Sequence, residues 1–409
     1  MVPEGWQSTK LGEVFKSRRE RGREGLPTLS VTLNNGLVLR ESLERKTETN
    51  LTPKEHLLVR EGDIAYNMMR MWQGASGIAR FDALVSPAYV VLKPTDQIDP
   101  VFASYLFKSK RMIYLFWAYS YGLHSDRLRL YFPDFSIVPV TLPPIEEQRR
   151  IGLLLSKWDQ ARNVIKQLLQ NSEMQKRASM QMLLTGKTRL KPHRHRRWRR
   201  VRLHDIADVV ASNVDKKSDP DQVAVRLCNY TDVYYNVHIS GSIQFMDATA
   251  TMTEIERFGL RKGDVLITKD SEMPDDIAVP AIVDEDLPNV LCGYHLALIR
   301  PRPGQVDGDF LSNLFLLKQT RHYFLTRANG VTRFGLAVND IKQAQLWMPE
   351  LDEQQDIARL LRDCDQAIAN LKRQLVLLED EQKSLVYRLV TGNCRVKAKD
   401  ATAPVAAIG

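Results

Sequence analysis

The chain has 409 residues, 44% of them hydrophobic, which is enough for two or three domains with real cores. Its formal charge is +9 and its pI about 9.3, so an acidic partner is expected, nucleic acid before membrane. Cys228, Cys292, Cys364 and Cys394 form no CxxC pair, which argues against a zinc site or a disulfide framework. The opening MVPEGWQSTKL lacks an apolar signal core, and no apolar run is long enough to span a membrane. A soluble, cytoplasmic protein with no membrane partner is the expectation.

In chain order, residues 1–142 read as a globular segment. Alternating runs at Leu29–Leu33 and Ala88–Leu92, bounded by Asn-Gly and Pro, predict strands. Pro100–Leu115 predicts a helix, followed by a polar and aromatic loop from Tyr119 to Leu130. Residues 143–190 then read as one long helix. Its seam carries Ile151, Leu155, Trp158, Ile165 and Leu169 on a frame of alternating fours and threes, with polar residues interrupting it at Arg162 and further on. The ten residues KPHRHRRWRR at 191–200 follow. They fit a solvated linker or a phosphate contact, and a metal site through His193 and His195 less well, because no carboxylate or thiolate lies near in sequence.

Residues 191–348 repeat the order of the first segment. Trp198 echoes Trp6, Gly263-Asp264 echoes Gly62-Asp63, Arg300-Pro301 echoes Lys93-Pro94, and Gly330 echoes Gly122. Residues 349–396 repeat the long helix without a gap, at a constant offset of 206 positions. Glu147, Gln148, Asp159, Gln160, Thr185 and Gly186 recur as Glu353, Gln354, Asp365, Gln366, Thr391 and Gly392. Ile357, Leu361, Ile368, Leu371, Leu375 and Leu378 give this second copy the stronger seam. Each helix starts after proline, carries acids in its first turn and stops at Thr-Gly. At about 1.5 Å per residue, such a helix is about 60 Å long. The alanine-rich tail at 397–409 predicts disorder.

Enzyme motifs are missing from this pattern. Thr185-Gly186-Lys187-Thr188 resembles the end of a phosphate loop, but Gln181 stands where the first glycine is needed. No Gly-x-Gly-x-x-Gly, Ser-His-Asp signature or Asn-Pro-Pro-aromatic tetrapeptide occurs. Neither a catalytic residue nor a metal ligand is assigned. What the globular segments do carry is contact chemistry for DNA. Amides bond adenine edges, guanidinium groups bond guanine or phosphate, and aromatic rings lie among them. The candidates in the first segment are Asn67, Arg70, Trp72 and Gln73, then Tyr121, His124, Ser125, Arg127 and Arg129. In the second they are Asn229, Tyr230, Lys269, Arg327, Asn329, Thr332 and Arg333. A coiled-coil scaffold and a stand-alone methyltransferase or nuclease remain open on these residues alone.

The doubled Pro-x-x-x-Glu-Gln-x-x-Ile-x-x-Leu-Leu opening, the Asp-Gln-Ala step and the closing Thr-Gly resemble the conserved helical regions of specificity (S) subunits of type I restriction-modification systems. Val-Arg-Leu-Cys-Asn-Tyr-Thr-Asp-Val and Gly-Asp-Val-Leu-Ile-Thr-Lys-Asp in the second segment are similar to that family's target-recognition domains. The resemblance implies an α+β protein. Residues 1–142 and 191–348 would be mixed α/β target-recognition domains, separated by two long antiparallel coiled-coil helices in a pseudo-twofold symmetric arrangement. It further implies an asymmetric bipartite target in double-stranded DNA, with the helices setting the gap between half-sites. The implied partners are two methyltransferase (M) subunits that use S-adenosylmethionine, and restriction (R) subunits that use ATP and Mg. No cofactor would be bound by this chain itself.

Overall fold

The computed structural model describes residues 2–43, 51–124, 127–216 and 218–396. The expected disorder of the tail, residues 397–409, lies outside the described residues. Two compact units emerge. One takes the chain through Gln167 and again from Lys372, and the other runs from Leu168 to Leu371. Each unit therefore owns one globular head and half of each long helix.

In the first unit the main sheet has the order Phe15–Arg18, Tyr89–Pro94, Ile64–Asn67, Ser76–Ile78, every pair antiparallel. Its inner face and the helices Pro100–Leu106 and Lys110–Ala118 enclose an aromatic core of Phe15, Tyr66, Phe102, Phe107, Phe116 and Phe135. Pro100–Leu115 was expected as one helix, but the structure breaks it. Ser109 accepts a hydrogen bond from the Met112 backbone N–H and so caps a second helix, the usual work of serine at a helix start.

The second unit repeats this order as Ala207–Ala211, Leu296–Pro301, Val265–Thr268, Pro280–Val283, and adds His238–Ile239 as a parallel edge. A three-stranded sheet of Met246–Ala250, Val223–Cys228 and Val290–Cys292 is further built onto it. Burial pushes the thiols of Cys228 and Cys292 up, which leaves them as unreactive core residues. The Gly-Asp echo is scaffold in both heads. Asp63 caps its own turn at the Arg60 N–H and receives Arg18, while Asp264 caps at Arg261 and receives Arg300. Two carboxylates that are each 2% exposed thus hold their turns by charge-assisted bonds from different strands.

The long helices run Ile145–Leu183 and Leu351–Val390. Every residue on either apolar seam, Ile151 through Leu169 and Ile357 through Leu378, is buried or half-buried. Their directions follow from the pairs within each unit. In the first, Asp159 meets Gln382 and Lys166 meets Glu379; in the second, Lys176 meets Asp365 and Arg189 meets Glu353. Rising numbers on one helix face falling numbers on the other, so the pairing is antiparallel in each unit.

The repeated polar residues account for this frame. Gln148 accepts from the Asp99 N–H and donates to the carbonyls of Gln97 and Pro143; Gln354 does the same with Asp307, Gln305 and Pro349. Each glutamine is 1% exposed and pins the start of a helix to its own head. Glu147 takes Arg395 on both oxygens, and Glu353 takes Arg189 likewise. These arginines follow the Thr-Gly stops, where Gly186 and Gly392 adopt φ of 70° and 75°, a region that favours glycine. A Cβ on Gly392 would come within 3.2 Å of the Trp6 ring, and one on Gly186 within 3.5 Å of the Trp198 ring. The tryptophan echo is therefore a cover over each helix stop.

Candidate nucleic-acid interface

In both heads the segment after the central core strand is tied to a later loop by the same hydrogen bond. Leu130 N–H donates to the Met68 carbonyl in the first unit, and Leu336 N–H donates to the Lys269 carbonyl in the second, with Leu130 and Leu336 206 positions apart. The later loops are closed alike. Tyr121 and Arg129 exchange both backbone hydrogen bonds, and so do Asn329 and Gly335. Two stretches that sequence alone could only group by echo are thus adjacent in space.

In the first unit, Arg70 and Gln73 are exposed on this surface. Trp72 is half-buried and spends its indole N–H on the Met69 carbonyl. Asn67 accepts from the Met69 N–H, which leaves its amide nitrogen as the group free to point outward. Tyr66 and Met71, from the same string, belong to the core. Tyr121, His124, Arg127 and Arg129 are exposed, with Tyr121 against Tyr131 at 5.7 Å between rings; Ser125 lies outside the described residues. Burial, then the Asp134 carboxylate, push the Tyr121 hydroxyl up, so it remains a neutral donor.

The second unit builds the same place from more parts. Lys269 pairs with Asp270, His295 approaches Asp270 at 3.3 Å, and Arg333 reaches to 3.0 Å from His295. Tyr230 lies 3.2 Å from the Ser271 hydroxyl and stacks on Tyr234, whose hydroxyl donates to Asp276. Burial pushes the Tyr230 hydroxyl up, and for Tyr234 the Asp276 hydrogen bond does so first. Asn229 caps the helix Tyr230–Tyr235 with Asp232, so its side chain is engaged locally. Arg327, Asn329, Thr332 and Arg333 are exposed, although Asn329 also donates to the Arg327 carbonyl. The sequence reading missed Tyr294 and His295, with Tyr294 51% exposed beside Lys269. They follow the strand Val290–Cys292, and nothing in the first head echoes them.

The basic run at 191–200 resolves into two populations. His193 is 4% exposed and bonds Asp356 at 2.9 Å; Arg196 pairs with Asp352 and Glu350; the carbonyls of His193 and Arg196 accept from Arg189. Part of the run therefore fastens the C-terminal helix, a role that neither the linker nor the phosphate reading contained. The metal reading through His193 and His195 finds His193 committed to an acid of that helix. Potential ligand atoms do converge elsewhere, with His238, Asp284 and Asp309 within 4.8 Å of one another, but Arg362 already supplies a cation to Asp309.

The family model for the type I restriction modification DNA specificity domain matches residues 3–173 and 195–380, one span for each head with its helix. The chain belongs to that family. A curated relative, the type I restriction enzyme MjaVIII specificity subunit of Methanocaldococcus jannaschii, is 22% identical, with 97% of this chain and 94% of the relative covered. The type I restriction-modification S subunit from M. genitalium shares the fold at a TM-score of 0.58 and 14% identity, covering 95% of this chain and 99% of that one. A chain solved in work on complex assembly and conformational transition of the type I R-M system aligns at a TM-score of 0.52 and 17% identity, covering 96% and 100%. Among the described residues no helix is long and apolar enough to cross a membrane.

Proposed function

We propose that this chain is the non-catalytic DNA-specificity subunit of a type I restriction-modification enzyme, reading one half-site with each head. The observation that carries this is the pair of loop clusters, tied by the same hydrogen bond in both heads and filled with different side chains. Equal placement fits one kind of ligand, and unequal chemistry fits two base sequences, so the target is asymmetric. The bases would be read by Arg70, Gln73, Asn67, Arg127 and Arg129 in one head and by Lys269, Thr332 and Arg333 in the other. The shared helical frame would receive two methyltransferase subunits, which bring S-adenosylmethionine and modify adenine, and restriction subunits with ATP and Mg. This chain would bind none of these cofactors itself.

A footprint of the full chain with its methyltransferase partner tests the reading. Two protected blocks around an indifferent gap are expected. A single block, or none, would leave a scaffold, and methyl transfer by the isolated chain would make it an enzyme.

A further inference from the structure

In each unit a two-stranded ladder lies between head and helix, and the two ladders are equivalent by register. In the first, Ser8 faces Thr141 and Lys10 faces Pro139; in the second, Arg200 faces Trp347 and Arg202 faces Gln345. Thr141 and Trp347 are 206 positions apart, like the helices. Side chains alternate along a strand, so Arg200, Arg202, Gln345 and Trp347 share one face, and all four are exposed. The hydroxyl pair Ser8 and Thr141, 3.3 Å apart, has thus been replaced by an arginine beside a tryptophan.

The charge around this face is one-sided. Residues 191–202 hold seven Lys and Arg and no acid, whereas residues 2–10 hold one of each. Arg196 and Arg202 have carboxylate partners. Among the described residues Arg194, Arg197, Arg199 and Arg200 have none, although all four are exposed. The face opens into a groove of about 650 Å³ bounded by Arg200, Trp347, Gln319, Gln345, Tyr323 and Arg327. Arg327 lies 3.7 Å over the Tyr323 ring and donates to its carbonyl, which holds the guanidinium in place. Asp340 is the one acid of the lining, so the two arginines leave it net positive. The equivalent groove of the first unit is about 260 Å³, lined by Val2, Pro3, Trp6, Val140 and Met112, with Arg111 its one basic residue.

We infer that the groove of the second unit is a sequence-independent contact for the phosphate backbone of double-stranded DNA, with Arg200 and Arg327 as the phosphate-binding groups. This rests on the DNA-reading role proposed above. Guanidinium groups with no carboxylate partner, flanked by amides and hydroxyls, match phosphate oxygens. The groove also leads, through Arg327, into the loop that carries Asn329, Thr332 and Arg333. A protein partner present in two copies would call for the same face on both units, and this face is on one.

The test uses the full chain with its methyltransferase partner, a labelled duplex bearing the sequence that the complex methylates, and a scrambled duplex of equal length. Each phosphate contact contributes about 0.9 to the slope of log affinity against log salt. The double variant Arg200→Ala, Arg327→Ala should lose about 2 from that slope, weaken both duplexes by the same factor and leave the methylated sequence unchanged. Arg200→Lys, which keeps the charge, should retain its share of the slope. An unchanged slope overturns the inference, and so does a loss confined to the methylated sequence, which would make the groove a base-reading site. Failure of the variant to hold its methyltransferase partner, with DNA affinity per complex intact, overturns it in favour of protein docking. If the unaltered complex does not discriminate the two duplexes, the half-site reading fails instead, and the slope still reports on the groove.

Discussion

The two units agree where they meet the helices and part where they face outward. Gln148 and Gln354 make the same three hydrogen bonds, and Arg395 and Arg189 grip the same glutamate, 206 positions apart. The candidate interfaces, in contrast, share a backbone tie and, among the described residues, no side-chain constellation. Arg70 and Gln73 stand free in one head, while Lys269, Asp270, His295 and Arg333 form a connected cluster in the other. A frame that buries its polar groups tolerates little change, because an orphaned partner there costs the full desolvation of that group. Exposed loops carry no such cost, so specificity can diverge on a frame that does not.

The frame itself is not quite symmetric, and this gives the largest expected effect. Glu353 is fully buried and Arg189 is 16% exposed, with His193, Arg196 and Trp198 around them. Glu147 is 5% exposed, but its partner Arg395 is 42% exposed. Glu353→Ala strands a desolvated guanidinium and should destabilise its unit by about 3 to 5 kcal/mol. Glu147→Ala leaves an arginine that water can solvate, so a smaller loss of about 1 to 3 kcal/mol is expected after solvent screening. Urea midpoints of the two variants check this; equal shifts would mean the basic junction adds nothing to the second clasp.

Next in size is the divergence of the heads. Arg333→Ala should weaken recognition of one half-site and Arg70→Ala of the other, each by about 1 to 3 kcal/mol if the contact is bidentate to a base. Binding to duplexes altered in one half-site at a time separates the two. If both variants penalise the same half-site, the one-head, one-half-site assignment is wrong. Equal loss on every sequence would mark either residue as a phosphate contact.

Most of the frame was legible in the sequence because its signals are local and doubled. The a/d seam, the acids of the first turn and the Thr-Gly stops each lie within one helix, and the second copy vouches for the first. The candidate loops were legible as neighbouring places, through their position after the core strand and before the late helix. They were less so as side chains. Asn229 looked free but caps a helix, and Trp72 is half-buried and spends its indole N–H on the Met69 carbonyl. Tyr294 and His295 were missed because they join the cluster from another strand. The basic run resisted for a related reason. The acids that consume His193 and Arg196 lie at 350–356, far along the chain, and no local periodicity connects them.

That long-range pairing gives the smallest expected effect, and one with a defined sign. A hydrogen bond from Arg196, followed by one from the Glu353 N–H, holds the Asp352 carboxyl below the usual carboxylate range. A carboxyl depressed in the folded state contributes stability above its ordinary pKa and loses it as pH falls through the lowered one. Among the described residues the first unit has no counterpart, since an acid, Glu4, stands where Arg196 does and turns its carbonyl and its charge toward Arg395. Arg196→Ala should therefore lower the melting temperature slightly at pH 7 and hardly at all at an acidic pH below the lowered range of the Asp352 carboxyl, where that group is protonated in either protein. Thermal melts of both proteins at the two pH values decide it. A penalty that is the same at both would show that Arg196 works through the packing of its side chain and not through its charge.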